Sequence, residues 1–475
     1  PGGKSMIPSH NFKKSIRSAL ENPHLQNAFE ECTTRRTQRV IDSLSQLGDP
    51  DSFRYLAQKI REYSIGHLDE LLRQLADNLE SLGAHVHWAQ DARQAREIIL
   101  DIARRHDCHL CIKSKSMTSE EIELTPTLTA AGIETVETDL GEFILQLDDD
   151  RPSHIITPMI HKSRQEVAAL FQNKLRSQYT EEPAELTAIA RQHLREKFRQ
   201  ADLGIVGVNF AVAQTGSLVV VENEGNARLT IYRPPVLIGL MGMEKVIPSP
   251  RDLAVLLKLL VRSAVGLPLT SYTNIITGPR KPGELDGPQH LYLVILDNRR
   301  SEILAGPYRD LLHCLRCGAC LNVCPVYRKI GGHAYGSVYP GPIGIAITPL
   351  LDATDRQTEF LPELCSLCGA CLDRCPARID LPHFLIQHRR DLITHRRSSL
   401  LYKLILTAWT WFYRSPARYR FSQKWLRRLL LPLARRGWVR HLPPPGFHWT
   451  AVRDLPLPKK QLFRDLWKKT DGRLS

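Results

Sequence analysis

The chain has 475 residues, of which 43% are hydrophobic, and a formal net charge of +14. This length predicts two to four domains, and the apolar content is ample for packed cores. Because no run of 18 apolar residues occurs and the first residues carry no apolar signal segment, the sequence predicts neither a transmembrane helix nor a signal peptide.

The predicted elements begin with a polar, charged helical region over residues 10–80. Short apolar runs then alternate with helical patterns, which indicates a mostly parallel sheet with helices on both faces. The predicted strands are 85–89, 108–112, 133–137, 154–159, 205–213, 218–222, 236–241 and 290–296. The predicted helices are 91–106, one that starts at Thr118 with a capping box to Glu121, an insertion over 162–200, and one from Ser249 to about Gly266.

Two copies of one cysteine motif, C-x2-C-x2-C-x3-C-P, follow the α/β pattern. This run is typical of ferredoxins that bind two 4Fe–4S clusters, in which the fourth cysteine usually ligates the other cluster. The predicted ligand sets are Cys314, Cys317, Cys320 and Cys375 for one cluster, and Cys365, Cys368, Cys371 and Cys324 for the other. Structural zinc is the alternative, but zinc sites use pairs of C-x2-C rather than a triple run ending in C-P. Two adjacent clusters predict one-electron steps, so the chain is expected to be an electron carrier or part of one.

The remaining cysteines are Cys32, Cys108 and Cys111, too few and too scattered for a disulfide framework. Thiolate clusters imply a reducing compartment, so we expect a cytoplasmic protein. Cys108 and Cys111 form another C-x2-C, but residues three apart on a strand point to opposite faces. We therefore expect these two side chains to pack in the core rather than to share a metal.

Polar residues gather directly after three predicted strands, where open parallel sheets bind their ligands. They are Lys113 and Lys115 after the first, Asn223, Glu224 and Arg228 after the second, and Glu244 after the third. The cationic side chains are candidates to bind a carboxylate or phosphate, and the two glutamates to hold a hydroxyl or carry a proton. Solvated turns are the alternative interpretation, and the sequence leaves both open.

The basic character belongs to the C-terminal tail. From Pro376 to Ser475 there are 22 Lys and Arg against 5 Asp and Glu, a net charge of +17, which leaves −3 for the other residues. Six of the seven tryptophans lie there, and helices are predicted over 399–413 and 421–434, followed by a proline-rich linker at 443–445. The tail could contact a protein partner, an anionic membrane surface or, as the weakest alternative, nucleic acid.

Several segments together resemble a known family. They are CIKSKSMTSEEIEL, GIETVETDLGEFILQL, SHIITPMIHKSRQEV, AVAQTGSLVVVENEGNARL and MGMEKVIPSPRDL, followed by the two ferredoxin motifs and a basic region ending FRDLWK. This order resembles the lactate utilisation protein B family over nearly the whole chain. The family's A-x-T-G-[ST] turn often has an acidic residue where this chain has Gln214.

The resemblance implies a NagB/CoA-transferase-like α/β fold and a three-protein system that oxidises L-lactate to pyruvate. It also implies two partners: a cysteine-rich redox subunit and a second protein with a lactate-utilisation domain. The expected organisation is an N-terminal helical segment over 1–80, a lactate-utilisation α/β domain over 81–300, a helical two-cluster ferredoxin-type module over 301–390, and a basic, tryptophan-rich helical region over 391–475.

The expected function is therefore that of an iron–sulfur electron-transfer subunit in an L-lactate dehydrogenase complex, cytoplasmic or peripheral on the inner face of the membrane. A redox relay for another substrate, linked to quinone or to a disulfide, is the first alternative. A cluster-containing nucleic-acid-binding protein is the second alternative, although no known nucleic-acid-binding module is visible.

Overall fold

The fold is that of a computed structural model, which describes residues 12–352, 355, 357–394, 400–443, 446–451, 453–461, 463 and 466–467. The chain forms two compact units, one ending at Arg389 and the other starting at Arg390. The boundary falls within the helix Leu381–Thr394.

The first unit opens with four helices, as the polar helical pattern predicts. They are Phe12–Leu20, Pro23–Ser45, Pro50–Gly66 and Leu68–Ser81. Asn22 and Asp49 cap the second and third by accepting backbone N–H bonds, and a proline occupies the first position of each. The fourth buries leucines at helical spacing against the sheet.

A six-stranded parallel sheet forms the centre of this unit. The ten strands are β1 His85–Ala89, β2 Leu110–Lys113, β3 Glu134–Glu137, β4 Leu203–Gly207, β5 Phe210–Val212, β6 Ser217–Glu222, β7 Val236–Gly242, β8 Val246–Ile247, β9 Tyr272–Ile276 and β10 His290–Leu296. The main sheet has the order β1-β10-β7-β4-β2-β3, and a smaller mixed sheet has the order β8-β5-β6-β9. The prediction of a mostly parallel α/β sheet is confirmed.

Alternation along the strands gives the main sheet two apolar faces. Leu291, Leu293 and Ile295 of β10 pack on the side of the N-terminal helices, and Val294 and Leu296 pack on the other side. Helices on the two faces complete the layers, as expected for a buried parallel sheet. They are Ala92–Arg105, Met117–Glu121, Leu124–Ala130, Leu140–Leu147, Arg164–Leu175, Pro183–Gln200, Asn226–Tyr232 and Pro250–Val265.

Three local predictions are wrong. The predicted strand 205–213 is two strands in different sheets, since β4 ends at Gly207 and β5 begins at Phe210. Residues 154–159 do not form a strand, because Nδ1 of His154 accepts the N–H groups of Ile156 and Thr157 and folds the segment into a loop. Thr118 does not cap a helix. Ser116 is the cap, because its side chain accepts the N–H of Ser119, and the helix begins at Met117. The Glu121 carboxylate binds Arg300 instead of completing a capping box.

Cys108 and Cys111 are both buried in the core, as expected, although the reason given from strand geometry is wrong. β2 begins at Leu110, so Cys108 precedes it, and both thiols belong to one apolar cluster. Burial raises the pKa of Cys108 to about 11, which is consistent with a packed neutral thiol.

The segment with the cysteine motifs is helical and packs into the first unit. Its helices are Arg300–Ala305, Arg309–His313, Ala319–Val323, Tyr327–Ile330, His333–Tyr335, Gly341–Leu351, Thr358–Leu364, Ala370–Arg374 and Leu381–Thr394. Phe29 and Leu75 of the N-terminal helices, Leu218 of the α/β region and Ile343 and Leu361 of this segment share one apolar core. The two motifs are therefore held rigidly against the α/β layers.

The second unit contains the helices Leu400–Tyr413, Pro416–Leu430, Leu431–Leu433 and Phe447–Thr450 and the short strands Ala434–Arg435, Trp438–Val439 and Leu455–Pro456. The second helix lies a few residues before the predicted 421–434, because Pro416 starts it and Pro432 ends the regular turns. Two residues of the predicted linker, 444 and 445, lie outside the described residues.

Candidate iron–sulfur and strand-end sites

Both cysteine motifs adopt the same local fold. Each first cysteine follows a short 3-10 helix, and each third cysteine lies in a one-turn helix that ends before the fourth. Between them, Arg316 and Leu367 have left-handed backbone conformations with φ of 59° and 57°. Gly318 and Gly369 are left-handed as well, with φ of 73° and 82°. Left-handed residues that alternate with residues of ordinary conformation turn successive peptide groups toward the inside of the loop. This suits a loop that wraps around a cluster.

The thiols fall into two neighbouring groups, each formed by both motifs. Burial is the main cause that raises the pKa of Cys317, and the charges of two thiols, Cys314 and Cys375, raise it further. Burial and then Cys365, Cys324 and Cys368 raise the pKa of Cys371 to about 12. The fourth cysteine of each motif thus lies near cysteines of the other motif: Cys375 near Cys314 and Cys317, and Cys324 near Cys365, Cys368 and Cys371.

Backbone amides point at one end of each group. Arg316 and Ile379 direct their N–H groups at Sγ of Cys314 and Cys375, at 3.4 and 3.3 Å. Leu367 and Tyr327 do the same for Cys365 and Cys324, at 3.3 and 3.5 Å. These donors favour thiolates, whereas burial alone disfavours them, so the eight thiols fit a bound cationic iron–sulfur core better than they fit free thiols.

The two groups differ in exposure. Cys317 and Cys375 are buried and Cys314 and Cys320 half-buried, whereas Cys368 is exposed together with its neighbours Ser366 and Leu367. We call the set Cys314, Cys317, Cys320 and Cys375 the inner group, and the set Cys324, Cys365, Cys368 and Cys371 the outer group.

Basic side chains surround Cys314 of the inner group. Arg61 is buried and donates to the carbonyl oxygens of Glu244, Val246 and Leu312. The charge of Cys314 acts on Arg61, Lys245 and Arg316 alike. Burial lowers the pKa of Arg61 to about 10 and that of Lys245 to about 8, so both remain mainly cationic at neutral pH.

Glu244 belongs to this region and not to the strand-end residues with which it was predicted. Its Oε2 lies 2.7 Å from Nε of Arg300, and its Oε1 lies 3.8 Å from an Arg316 nitrogen. Burial would raise the pKa of Glu244, but the opposing charge of Arg300 keeps it near 2. Arg300 also binds both carboxylate oxygens of Glu121, each at 2.8 Å. Glu244 is therefore a fixed counter-charge.

At the carboxyl end of β2, Lys113 is fully buried. Its Nζ lies 2.8 Å from Glu137, 3.0 Å from Glu120 and 2.8 Å from Oγ of Ser119. Burial lowers the pKa of Lys113 and the charges of Glu137 and Glu120 raise it, with a net rise. The lysine is consequently committed to protein carboxylates.

Lys115, two residues further, has no such partner. Its Nζ is buried and receives no hydrogen-bond acceptor from the described residues. Its charge acts on Glu142, Glu224 and His154. A buried ammonium without a partner is costly. Lys115 is therefore the strand-end cation best suited to bind an anion.

Glu142 is a candidate that the sequence did not single out. It is buried, and neither carboxylate oxygen accepts a hydrogen bond from the described residues. Burial and then the neighbouring Glu137 raise the pKa of Glu142 well above its ordinary value. A proton shared between the two carboxyls would supply the missing bond. Glu137 was detectable as the last residue of a predicted strand, whereas Glu142 lies inside a helix and leaves no such signal.

The remaining predicted residues lie at the rim. Asn223 accepts the N–H of Ser271, and the Arg228 guanidinium lies 5.7 Å from the ring centres of Tyr232 and Tyr272. Glu224 is exposed as a residue, but partial burial of its carboxyl and then the charge of Asp139 raise its pKa.

One buried residue links the strand-end site to the inner group. The charge of Lys115 acts on His154, and a Cβ built on Gly318, between Cys317 and Cys320, would lie 3.6 Å from Cε1 of His154. Burial and then the charge of Arg36 lower the pKa of His154 to about 3, so its ring is neutral. The strand-end site and the inner group are thus neighbours.

Comparison with known families agrees with this architecture. The LUD domain family matches residues 72–296, the 4Fe-4S dicluster domain family matches residues 310–379, and the C-terminal family of lactate utilisation protein B matches residues 394–471. The fold and the two cysteine groups thus define a LUD-domain protein with two 4Fe–4S clusters, which confirms the cofactor prediction.

Relatives narrow the identification. The chain is 44% identical to lactate utilization protein B of Shouchella clausii over 460 residues, 96% of each chain. It is 43% identical to the protein of that name from Bacillus licheniformis, over 97% of this chain and 96% of the other, and 42% identical to that of Bacillus subtilis, over 96% and 95%. The chain belongs to the lactate utilization protein B family.

A solved DUF162 family protein from Deinococcus radiodurans is 11% identical, with 48% of this chain and 98% of that chain aligned, and the TM-score of 0.27 is too low to support an argument. No helix within the described ranges has the length and apolarity needed to cross a bilayer.

Proposed function

We propose that this protein is the iron–sulfur electron-transfer subunit of a multi-protein system that oxidises L-lactate to pyruvate. The observation that carries the proposal is the proximity of the two cysteine motifs, with Cys375 near Cys314 and Cys317 of the first motif and Cys324 near the cysteines of the second. The family's name supports a role in lactate utilisation.

We propose that the inner group, Cys314, Cys317, Cys320 and Cys375, holds one cluster. The outer group, Cys365, Cys368, Cys371 and Cys324, would hold the second. A bound 4Fe–4S cluster supplies a site that accepts and returns single electrons. The chain contributes the thiolates, the amides directed at their sulfurs and a shared core that fixes the distance between the two groups.

The strand-end site is proposed to bind a small carboxylate, with Lys115 as its main cation. The Lys115 ammonium, which has no acceptor among the described residues, can bind a carboxylate. The nearby Glu142 and Glu224 carboxyls can hold a proton. Lys113 would orient the surrounding carboxyls, and Asn223 and Arg228 would form the rim. A docking surface without a ligand is the alternative for this domain.

The proposed partners are a cysteine-rich redox subunit and a second LUD-domain protein. The described part of the second unit presents Trp409, Trp411, Trp425, Trp438 and Trp449 at its surface, and exposed tryptophan and arginine are common anchors of protein interfaces. Truncation after about residue 395, which keeps the helix Leu381–Thr394 intact, should leave the iron content unchanged and abolish co-purification with the cysteine-rich partner. Retained binding of that partner, with loss of binding to anionic vesicles, would favour membrane contact instead.

The function itself is tested by anaerobic reconstitution with the two partner proteins and addition of L-lactate. Reduction of the iron–sulfur chromophore that requires all three proteins is expected. Equal reduction by D-lactate or by other hydroxy acids would favour a relay for another substrate.

A further inference from the structure

The inner and outer thiol groups lie in different electrostatic surroundings. The charge of Cys314 acts on Arg61, Lys245 and Arg316, and Arg300 lies next to this set through Glu244. The carboxylates that pair with these four cations are Glu121 and Glu244. Among the residues that the structure describes, no carboxylate lies within ion-pair distance of Arg61, and none does for Lys245. The set therefore carries an excess of positive charge.

This excess is held largely away from water. Arg61 and Arg300 are 1% and 0% exposed, and one terminal nitrogen of Arg316 is buried without a hydrogen-bond acceptor in the described chain. Arg61 forms no ion pair with a carboxylate of the described residues; it donates to three backbone carbonyls, and Glu244 acts on it only through its charge at longer range. Buried positive charge of this kind is unfavourable unless an anion lies nearby. A cluster held by four thiolates is such an anion, and it becomes more negative when it is reduced.

The outer group has weaker compensation and more solvent. Arg389 contacts the backbone of this group, donating to the carbonyl oxygens of Pro362 and Cys365 at 2.8 and 2.6 Å. Cys368, Leu367 and Ser366 are exposed. Backbone N–H groups donate to sulfurs of both groups, and those of Ala319 and Ile343 also act on Cys317 and Cys320 of the inner group.

Two physical effects therefore act in opposite directions on the inner group. Burial disfavours the more negative reduced cluster, whereas nearby buried cations favour it, and charges interact more strongly where water is excluded. Three cations act on one thiolate of the inner group, and two of these, Arg61 and Lys245, have no carboxylate of the described residues within ion-pair distance. The charges should outweigh the burial.

We propose that the inner group holds the cluster of higher midpoint potential, tuned by Arg61, Lys245 and Arg316, and that the outer group exchanges electrons with partner proteins. This inference rests on the proposed function in that it requires both clusters. The three basic residues would act on the inner cluster through their charge. They are therefore positioning residues and not iron ligands.

The test uses the full-length protein with both clusters, titrated anaerobically with dithionite and followed by EPR. Cys368→Ser identifies the signal of the outer group by changing it selectively. In Lys245→Gln, the midpoint potential of the inner signal should fall while that of the outer signal stays constant, and Lys245→Arg should restore the wild-type value. Lys197→Gln, which removes a lysine paired with Glu134 in the α/β domain, is the matched control and should change neither.

Equal potentials of the two clusters in the wild type, or a lower potential for the inner one, would overturn the inference. So would an unchanged inner potential in Lys245→Gln with full iron content. If Lys245→Gln does not fold, Arg316→Gln and Arg316→Lys replace the pair, and loss of iron from Arg316→Gln as well would also overturn the tuning role. Wild-type protein without two clusters would instead contradict the proposed function.

Discussion

Nζ of Lys113 lies 2.8 Å from Oε1 of Glu137, and the two residues are register partners at the carboxyl ends of neighbouring parallel strands. The pair is buried, and Glu120 and Ser119 complete the coordination of the ammonium. Such a pair holds the ends of β2 and β3 together and sets the charge of the strand-end site.

Lys113→Met should destabilise the protein strongly. Removing the ammonium leaves Glu137 buried without its counter-charge, which typically costs about 3–5 kcal/mol. The midpoint of urea unfolding, followed by circular dichroism under anaerobic conditions, measures the loss. Lys197→Met breaks the exposed pair with Glu134 and should cost less than about 1 kcal/mol. An equal loss of stability in the two variants would show that the buried pair stabilises the protein no more than the exposed pair does.

The Glu137–Glu142 pair predicts a loss of stability towards alkaline pH. The folded-state pKa of Glu142 is raised by burial and then by Glu137, so its proton favours folding at low pH. That contribution disappears as the pH rises through the raised value. Glu142→Gln keeps the hydrogen bond without titrating, so its melting temperature should fall less than that of the wild type as the pH is raised. Parallel curves for the two proteins would contradict the shared proton.

Lys115 predicts anion binding at the strand ends. L-lactate or pyruvate should raise the melting temperature of the protein, because a ligand that binds only the folded state stabilises it. Lys115→Ala should abolish this shift with the iron content unchanged, and Lys115→Arg should retain part of it. Arg228→Ala, at the rim, should weaken the shift less. A wild type that does not respond at high ligand concentration would favour the docking alternative.

The exchange of fourth cysteines predicts paired losses. Cys324→Ser should damage the cluster of the second motif, and Cys375→Ser that of the first. The intact protein should contain about eight iron and eight sulfide, and each variant should lose iron and one set of EPR signals. Combining Cys324→Ser with Cys371→Ser should cause no further loss of clusters, because both serve the outer group. Loss of both clusters in that double variant would contradict the assignment.

The sequence predicts the parallel sheet and the iron–sulfur motifs well, because both depend on local patterns. The strand β10 and the helix Pro250–Val265 follow from an apolar run and from a serine–proline start. The loop around His154 is not predictable in this way. Its two backbone N–H groups donate to the His154 side chain, whereas in a sheet they would donate to a neighbouring strand. Its apolar residues face the first cysteine motif instead of a neighbouring strand.

The site is predictable only in part, for a similar reason. Lys113 and Lys115 follow the same strand, but only the three-dimensional neighbours show that one is neutralised and the other is not. Glu244 was grouped with them because it also follows a strand. That strand, β7, lies two strands away from β2, and the Glu244 carboxylate binds Arg300. The basic surroundings of Cys314 come from residues far apart in the chain, such as Arg61 and Lys245, so no motif indicates them.

The most direct test of the account is the EPR spectrum of the reconstituted three-protein complex after L-lactate is added without oxygen. Signals of reduced 4Fe–4S clusters on this chain are the expected result. Cys324→Ser should remove the outer signal, and Cys375→Ser should remove the inner one. Clusters that stay oxidised, and therefore EPR-silent, in a complex that nevertheless forms pyruvate with no electron acceptor added would contradict the proposed relay.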